Sequence, residues 1–393
     1  MKELGFLLFF LFSAYCFCFT QPDNKEDIVI SILTCAPGHE LYSIYGHNAI
    51  RINDHNARTD VVYNYGTFDF DTPGFALKFM RGKLPYLLST SSYSNFLREY
   101  EYYKRDVEEQ ILNIDSTQKQ KIINFLDNNM LPENRAYKYD FFKDNCATRL
   151  RDIVTLNAHN VHWDSSKSSD KSFRQIIKEY QKDMPWTNFG IDLIIGCPAD
   201  KTTTLGDEAF IPDYLSEAIK YAQIIDKPIR SLAKNKTYVL KFDKTEKKNN
   251  PLVTPWFLFI VLLLVEINFL FRFFSGKLLS WIIWYDMAWT VLISLSSILM
   301  LFMWFGTDHI PTKCNYNLLW CSPLIVIFWW MPSTKYKPLK NWLFLILFVL
   351  LFISFVNAIP GLNFLAQYFH PIVMIISIIL FLKIYRWHKT AES

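Results

Sequence analysis

Two residues whose types suit acyl-transfer chemistry stand about a hundred positions apart in this chain: His47 and Cys146. Cys146 follows Asp144 and Asn145 and opens a run to about Leu156 that reads as helix. Asp and Asn are good N-caps, so the sulfur is expected in the first turn. There it faces free backbone N–H groups and the positive end of the helix dipole, a setting that lowers a thiol's pKa. His47 lies in 46–52, which reads as the start of a strand. A nucleophilic thiol needs an imidazole to move protons and a polar group to hold that imidazole. Asn64, on the neighbouring strand of the expected hairpin, fits the last role, and Glu40 is the alternative. The bland reading of Cys146 is a buried thiol packing a helix start, because Cys is among the most buried residue types.

The elements that must position these groups follow from local pattern. Residues 27–33 alternate and are β-branched, which indicates a strand; 46–52 and 61–65 give a hairpin around a polar turn at 53–59. Residues 71–80 read as a helix capped by Thr72, and 84–88 and 107–114 as strands. Residues 116–130 read as an amphipathic helix with Ile122, Ile123, Phe125 and Leu126 on one face. The stretch 157–250 is less patterned, with helices expected at 173–180 and 213–222, a strand at 237–242, and a charged linker, KTEKKNN, at 244–250.

Composition divides the chain. Residues 251–393 hold long apolar runs and nine Lys+Arg against four acids, leaving 32 basic and 33 acidic residues in 1–250. That near-neutral part builds no basic face, which excludes nucleic acid as a partner. The seven cysteines show no zinc-type spacing, so no metal and no cofactor is expected. A Cys35–Cys197 disulfide is open in an oxidising compartment. Residues 1–20 read as a signal peptide or signal anchor, which exports 21–250. Five membrane spans are expected, at about 255–271, 281–304, 317–331, 342–358 and 364–384. Eight of the nine basic residues, all but Lys313, fall on one side of that topology, which assigns that side to the cytoplasm.

The segments GHELYSIYGHNAIRI (38–52), VVYNYGTFDF (61–70), YDFFKDNCATRLRD (139–152) and GTDHIPTKCNYNLLWCSP (306–323) resemble a bacterial family of thiol-dependent lipoprotein N-acyltransferases, the Lnb type. The resemblance implies an α+β fold: a circularly permuted papain-like periplasmic domain of the NlpC/P60 and lecithin:retinol acyltransferase kind, followed by a five-span helical bundle in the inner membrane. It makes Cys146 the nucleophile and His47 the general base. It also implies two substrates, a phospholipid acyl donor and the α-amine of a lipoprotein's diacylglyceryl-cysteine. Arg149, one turn from Cys146, is a candidate for a phosphate or oxyanion, with a structural ion pair as the alternative. Asp308 and His309, in the exported loop between spans two and three, are candidates for headgroup binding or amine deprotonation. Two other functions remain open at this level: a membrane-tethered cysteine peptidase or amidase acting on cell-wall peptides, and a non-enzymatic assembly factor. Five spans exceed what tethering requires.

Overall fold

The computed structural model describes residues 27–40, 42–243, 250–276, 281–332 and 335–390. The expected signal segment and most of the charged linker lie outside the described residues. The protein is α+β: an antiparallel sheet domain precedes a helical region.

The sheet grows from β1 (Ile28–Cys35), whose alternation sends Ile30 and Ile32 to one face and Leu33 and Cys35 to the other. It pairs antiparallel with β2 (His47–Asp54) on one side and β5 (Val107–Ile111) on the other. Beyond β2 lie β3 (Thr59–Thr67), β4 (Pro85–Ser92) and β6 (Ala136–Lys138); beyond β5 lies β7 (Thr237–Leu240). Two faces are covered. Ile30, Ile32, Ile50 and Ile52 pack under α3 (Ser116–Met130), α4 (Cys146–Asn157) and α8 (Pro212–Tyr221) through Ile122, Leu126, Leu150, Ile153, Val154 and Leu215. The opposite face receives Phe96 and Tyr100 of α2 (Tyr93–Tyr102). The helix α3 occupies the expected 116–130, closed at its start by an Asp115–Gln118 capping box. The helix α1 (Phe75–Met80) starts later than expected: Thr72 does not cap it, and Gly74, in the left-handed region, is the N-cap.

Among the described residues of the helical region, three helices are long and apolar enough to cross a membrane: α9 (Pro255–Phe274), α10 (Ile282–Phe305) and α12 (Lys337–Asn357). The expected third span, 317–331, is helical only over α11 (Leu324–Trp330), because Asn315, Asn317 and Pro323 shape its first half into turns. Seven residues rise about 10 Å, too little to cross a bilayer. The fifth helix, α13 (Ile372–Thr390), starts at residue 372 rather than 364 and carries Lys383, Arg386 and Lys389. Lys383 and Arg386 are buried and form ion pairs with Glu266 of α9 and Asp286 of α10; Trp387 also donates to Asp286, at 2.7 Å. Two cations counted as cytoplasmic by charge asymmetry are therefore internal, and pair two carboxylates that are costly in apolar surroundings.

The two regions meet at the C-terminus of α6 (Pro185–Ile194). Helix ends leave carbonyls without partners. Here Asn315 donates to the carbonyls of Leu193 and Ile194 (2.8 and 3.0 Å), Asn317 to Asp192 and Leu193 (3.2 and 3.1 Å), and Gln367 to Ile195 (3.4 Å). From the sheet-domain side, Arg174 of α5 (Phe173–Glu179) is 1% exposed and bridges Asp192 and Asp200. The Gly196 N–H donates to the Pro311 carbonyl at 2.8 Å, and a Cβ at Gly196 would stand 1.9 Å from the Lys313 carbonyl oxygen. Cys197 lies beside Cys314, its N–H donating to the Cys314 carbonyl at 3.2 Å, while Cys35 is fully buried and bonded to Tyr100. The Cys35–Cys197 pairing is thus corrected: the two thiols have different neighbours.

This junction gives a pair of opposite outcomes. Gly196→Ala is expected to destabilise the detergent-solubilised protein by about 2 kcal/mol or more, because rigid backbone stands where the methyl would go. Gly190→Ala, inside α6 with nothing near the added methyl, is expected to stabilise by roughly 0.5–1 kcal/mol. Thermal unfolding of both variants checks this; equal midpoints would contradict the close approach at Gly196.

Candidate active site

Cys146 is the first residue of α4, and its position is fixed by Asn145. The Asn145 side chain accepts from the N–H groups of Ala147 and Thr148 (2.9 and 3.0 Å), while Thr148 Oγ1 accepts from the Asn145 N–H at 2.8 Å. The Asn145 amide also donates to the carbonyls of Phe141 and Phe210 (2.9 and 2.8 Å). This cap is 2% exposed and fully bonded, so the start of the helix has little freedom. Asp144, the other candidate cap, instead takes Arg149.

His47 opens β2. The preceding Gly46 has φ +81°, and a Cβ there would stand 2.7 Å from the Cys35 carbonyl oxygen, so only glycine turns the chain into the strand at this point. The helix α4 lies across β2 and β3, its apolar side facing the sheet, and this packing brings the thiol against the imidazole. The two side chains are close enough that the charge of each is the strongest influence, after burial, on the titration of the other. His47 Nε2 donates to Asn64 Oδ1 on β3 at 3.3 Å. That bond leaves Nδ1 as the ring nitrogen for sulfur, the division of labour an oriented imidazole needs.

The electrostatics favour charge separation. Burial alone would raise the Cys146 pKa. The His47 charge and hydrogen bond, with the backbone N–H groups of Asn48 and Ala147, outweigh it, and the thiol titrates below its ordinary value. Burial likewise opposes an imidazolium at His47, but the Cys146 sulfur and then Asn64 outweigh it, and the ring titrates above its ordinary value. Each shift favours the charged form of its group, thiolate at Cys146 and imidazolium at His47.

Sequence reasoning missed Tyr137. Its ring is 9% exposed, and its hydroxyl is buried without a hydrogen-bond partner among the described residues. A Cβ built on Gly66 would lie 4.0 Å from both Tyr137 Oη and Cys146 Cβ, so the hydroxyl and the Cys146 side chain flank one small space. Burial first, and the neighbouring sulfur second, push this phenol far above its usual pKa, keeping it a proton donor. No local pattern on the short β6 carries this signal; it arises when β6 joins the far edge of the sheet. The guanidinium of Arg149 lies 3.6 Å from the Tyr137 ring centroid and pairs with Asp144 at 2.6 Å. Arg149 thus forms the ion pair that was the alternative reading of it, and its guanidinium lies over the Tyr137 ring.

The remaining candidates lie elsewhere. Glu40 is exposed in the 36–46 turn, where its carbonyl accepts from Ser43; Asn64 holds the imidazole instead. The Asp308 N–H donates to the Arg81 carbonyl (2.8 Å) and its carboxylate pairs with Lys138 (2.9 Å), while His309 Nε2 bonds to the Met80 carbonyl (3.2 Å). Both residues bind the loop after α10 to the sheet domain.

Residues 19–181 match the Lnb N-terminal periplasmic domain, and residues 246–391 match the Lnb transmembrane domain. Comparison with curated proteins gives no match. Comparison with solved structures gives none either.

The lowered titration of Cys146, caused chiefly by His47, sets the pH dependence of thiol reactivity. Cys146 alkylation by iodoacetamide, resolved by peptide mass spectrometry, is expected to hold up below the usual thiol range and to fall only as pH drops through the lowered pKa. His47→Ala removes the stabilising charge and moves the inflection up to about 8.5 or above; Asn64→Ala moves it in the same direction by less. Identical inflections in all three proteins would contradict the pair.

Proposed function

The chain belongs to the Lnb family, and on that premise we propose that it is a thiol-dependent lipoprotein N-acyltransferase of the bacterial inner membrane, its catalytic domain periplasmic. The observation that carries the reading is the placement of Cys146 beside His47, whose ring is held by Asn64, on a domain joined to apolar helices long enough to span a bilayer.

The chemistry runs in two halves. The Cys146 thiolate attacks an ester carbonyl of a phospholipid, forming the C–S bond. The oxyanion develops in the space shared with Tyr137, whose free hydroxyl is suited to donate to it. Collapse breaks the C–O bond, and the His47 imidazolium gives its proton to the departing glycerol oxygen. A thioester and a lysophospholipid result. The α-amine of a diacylglyceryl-cysteine then attacks the thioester, neutral His47 takes the amine proton, and the C–S bond breaks. Amide product leaves and the ion pair is restored. Both substrates are anchored in lipid, so fixing the domain to the membrane confines the reactants and spares part of the entropy of encounter.

Mass spectrometry of lipoprotein N-termini from cells whose only acyltransferase is this protein tests the reading. Triacylated termini are expected with the native chain and absent with Cys146→Ala. Tyr137→Phe is expected to slow acylation by about 10²–10³, as loss of one oxyanion donor does elsewhere, with Cys146 alkylation little changed. Normal triacylation by Cys146→Ala would overturn the thioester route.

A further inference from the structure

The helix α1 buries none of its residues, although it carries Phe75, Leu77, Phe79 and Met80. With Phe70 it forms an arm, residues 68–80, between β3 and β4, on which Phe70, Leu77, Phe79 and Met80 are exposed, Phe70 at 73%. Each such side chain left in water forgoes the free energy of burial, and side chains clustered this way mark a surface that meets lipid or a partner.

Three observations say what covers it. First, the rings run inward without a break. Phe79 stacks on Phe75 (centroids 6.0 Å apart), Phe75 meets Phe68 (5.8 Å), Phe68 meets Tyr86 (5.4 Å) and Tyr86 stacks on Tyr139 (4.3 Å). Tyr86 and Tyr139 pack against the core that also holds Cys146, and the Cys146 sulfur is the strongest influence after burial on the Tyr139 phenol, so the inner end of the series lies beside the thiol. Second, the outer end is tied to the membrane region. Met80 and Arg81 bond to His309 and Asp308, in the loop that leaves α10, one of the helices long enough to span. Third, Lys78, Arg81 and Lys83 stand among the apolar side chains, a mixture that complements an anionic lipid surface.

We propose that this aromatic track, Phe79–Phe75–Phe68–Tyr86–Tyr139, seats the acyl chain of the donor phospholipid, carrying it from the bilayer edge to Cys146 with its ester carbonyl at the sulfur. The proposal rests on the acyl-transfer reading and assigns the donor subsite of that reaction. Selection falls on chain length and apolarity, because every member of the track is an aromatic ring and none carries a charge to read a headgroup.

The test uses the full chain in detergent micelles with p-nitrophenyl butyrate and p-nitrophenyl palmitate as acyl donors, following nitrophenolate release. Phe68→Ala/Phe75→Ala is expected to lower kcat/KM for the palmitoyl ester by about tenfold or more, since several buried methylenes lose their partner rings, and to leave the butyryl ester within about twofold. Equal loss on both esters would reduce the rings to a structural role and overturn the proposal. So would unchanged rates on both, or a loss seen only when the long ester is presented in vesicles, which would make the arm a membrane anchor. A second arm does not depend on turnover. In Cys146→Ala protein, a phospholipid with a photoreactive group on its acyl chain is expected to label residues 68–86, and labelling confined to other segments would overturn the subsite. Native protein releasing nitrophenolate from neither ester, with labelling at 68–86 intact, would instead overturn the acyl-transfer reading on which the subsite rests.

Discussion

The structure depends on one contact: the N-terminus of α4 laid against the first residue of β2. Everything that makes Cys146 unlike a buried thiol follows from it. The helix end supplies backbone N–H groups, the strand supplies His47, and the neighbouring strand supplies Asn64. Burial opposes charge on both sulfur and ring, and each shift toward the charged form depends on the partner's presence. A fully bonded Asn145 cap below and a glycine-dependent turn at Gly46 above hold that geometry.

Around the pair, other groups are held through intermediates. Asp144 holds Arg149, and Arg149 lies over the Tyr137 ring. Tyr137 in turn carries a hydroxyl that nothing in the described residues satisfies. An unpaired buried hydroxyl costs free energy, and a site awaiting negative charge offers a reason to bear that cost. At larger scale, the amides of Asn315, Asn317 and Gln367 close the end of α6. The active-site domain is thereby fixed on the helical region, with the arm at 68–80 facing the loop after α10.

What was legible in the sequence was local. The Asn-Cys start of α4, the alternation of β1, the amphipathic α3 and the apolar stretches each declare themselves within a dozen residues, and the α+β class follows from them. Asn64 was legible because hairpin partners lie close in sequence. Tyr137 was not, because its burial depends on β6 reaching the sheet edge beside β4. Arg149 could be placed on the face of Cys146 by helical spacing, but its stacking on Tyr137 is a tertiary event. The partners of Glu266 and Asp286 were hidden for the same reason, being about a hundred residues away on α13. The stretch 317–331 misled because apolarity alone does not report the turns that Asn315, Asn317 and Pro323 impose.

The central claim is that the Cys146 sulfur carries the acyl group in transit. Purified protein incubated with phospholipid, with no acceptor amine present, tests this by intact-protein mass spectrometry followed by peptide mapping. The account predicts a mass gain of one acyl chain, located on Cys146 and removed by neutral hydroxylamine. An adduct on another residue, or triacylated product formed with no hydroxylamine-sensitive acyl group on Cys146 at any time, would contradict it.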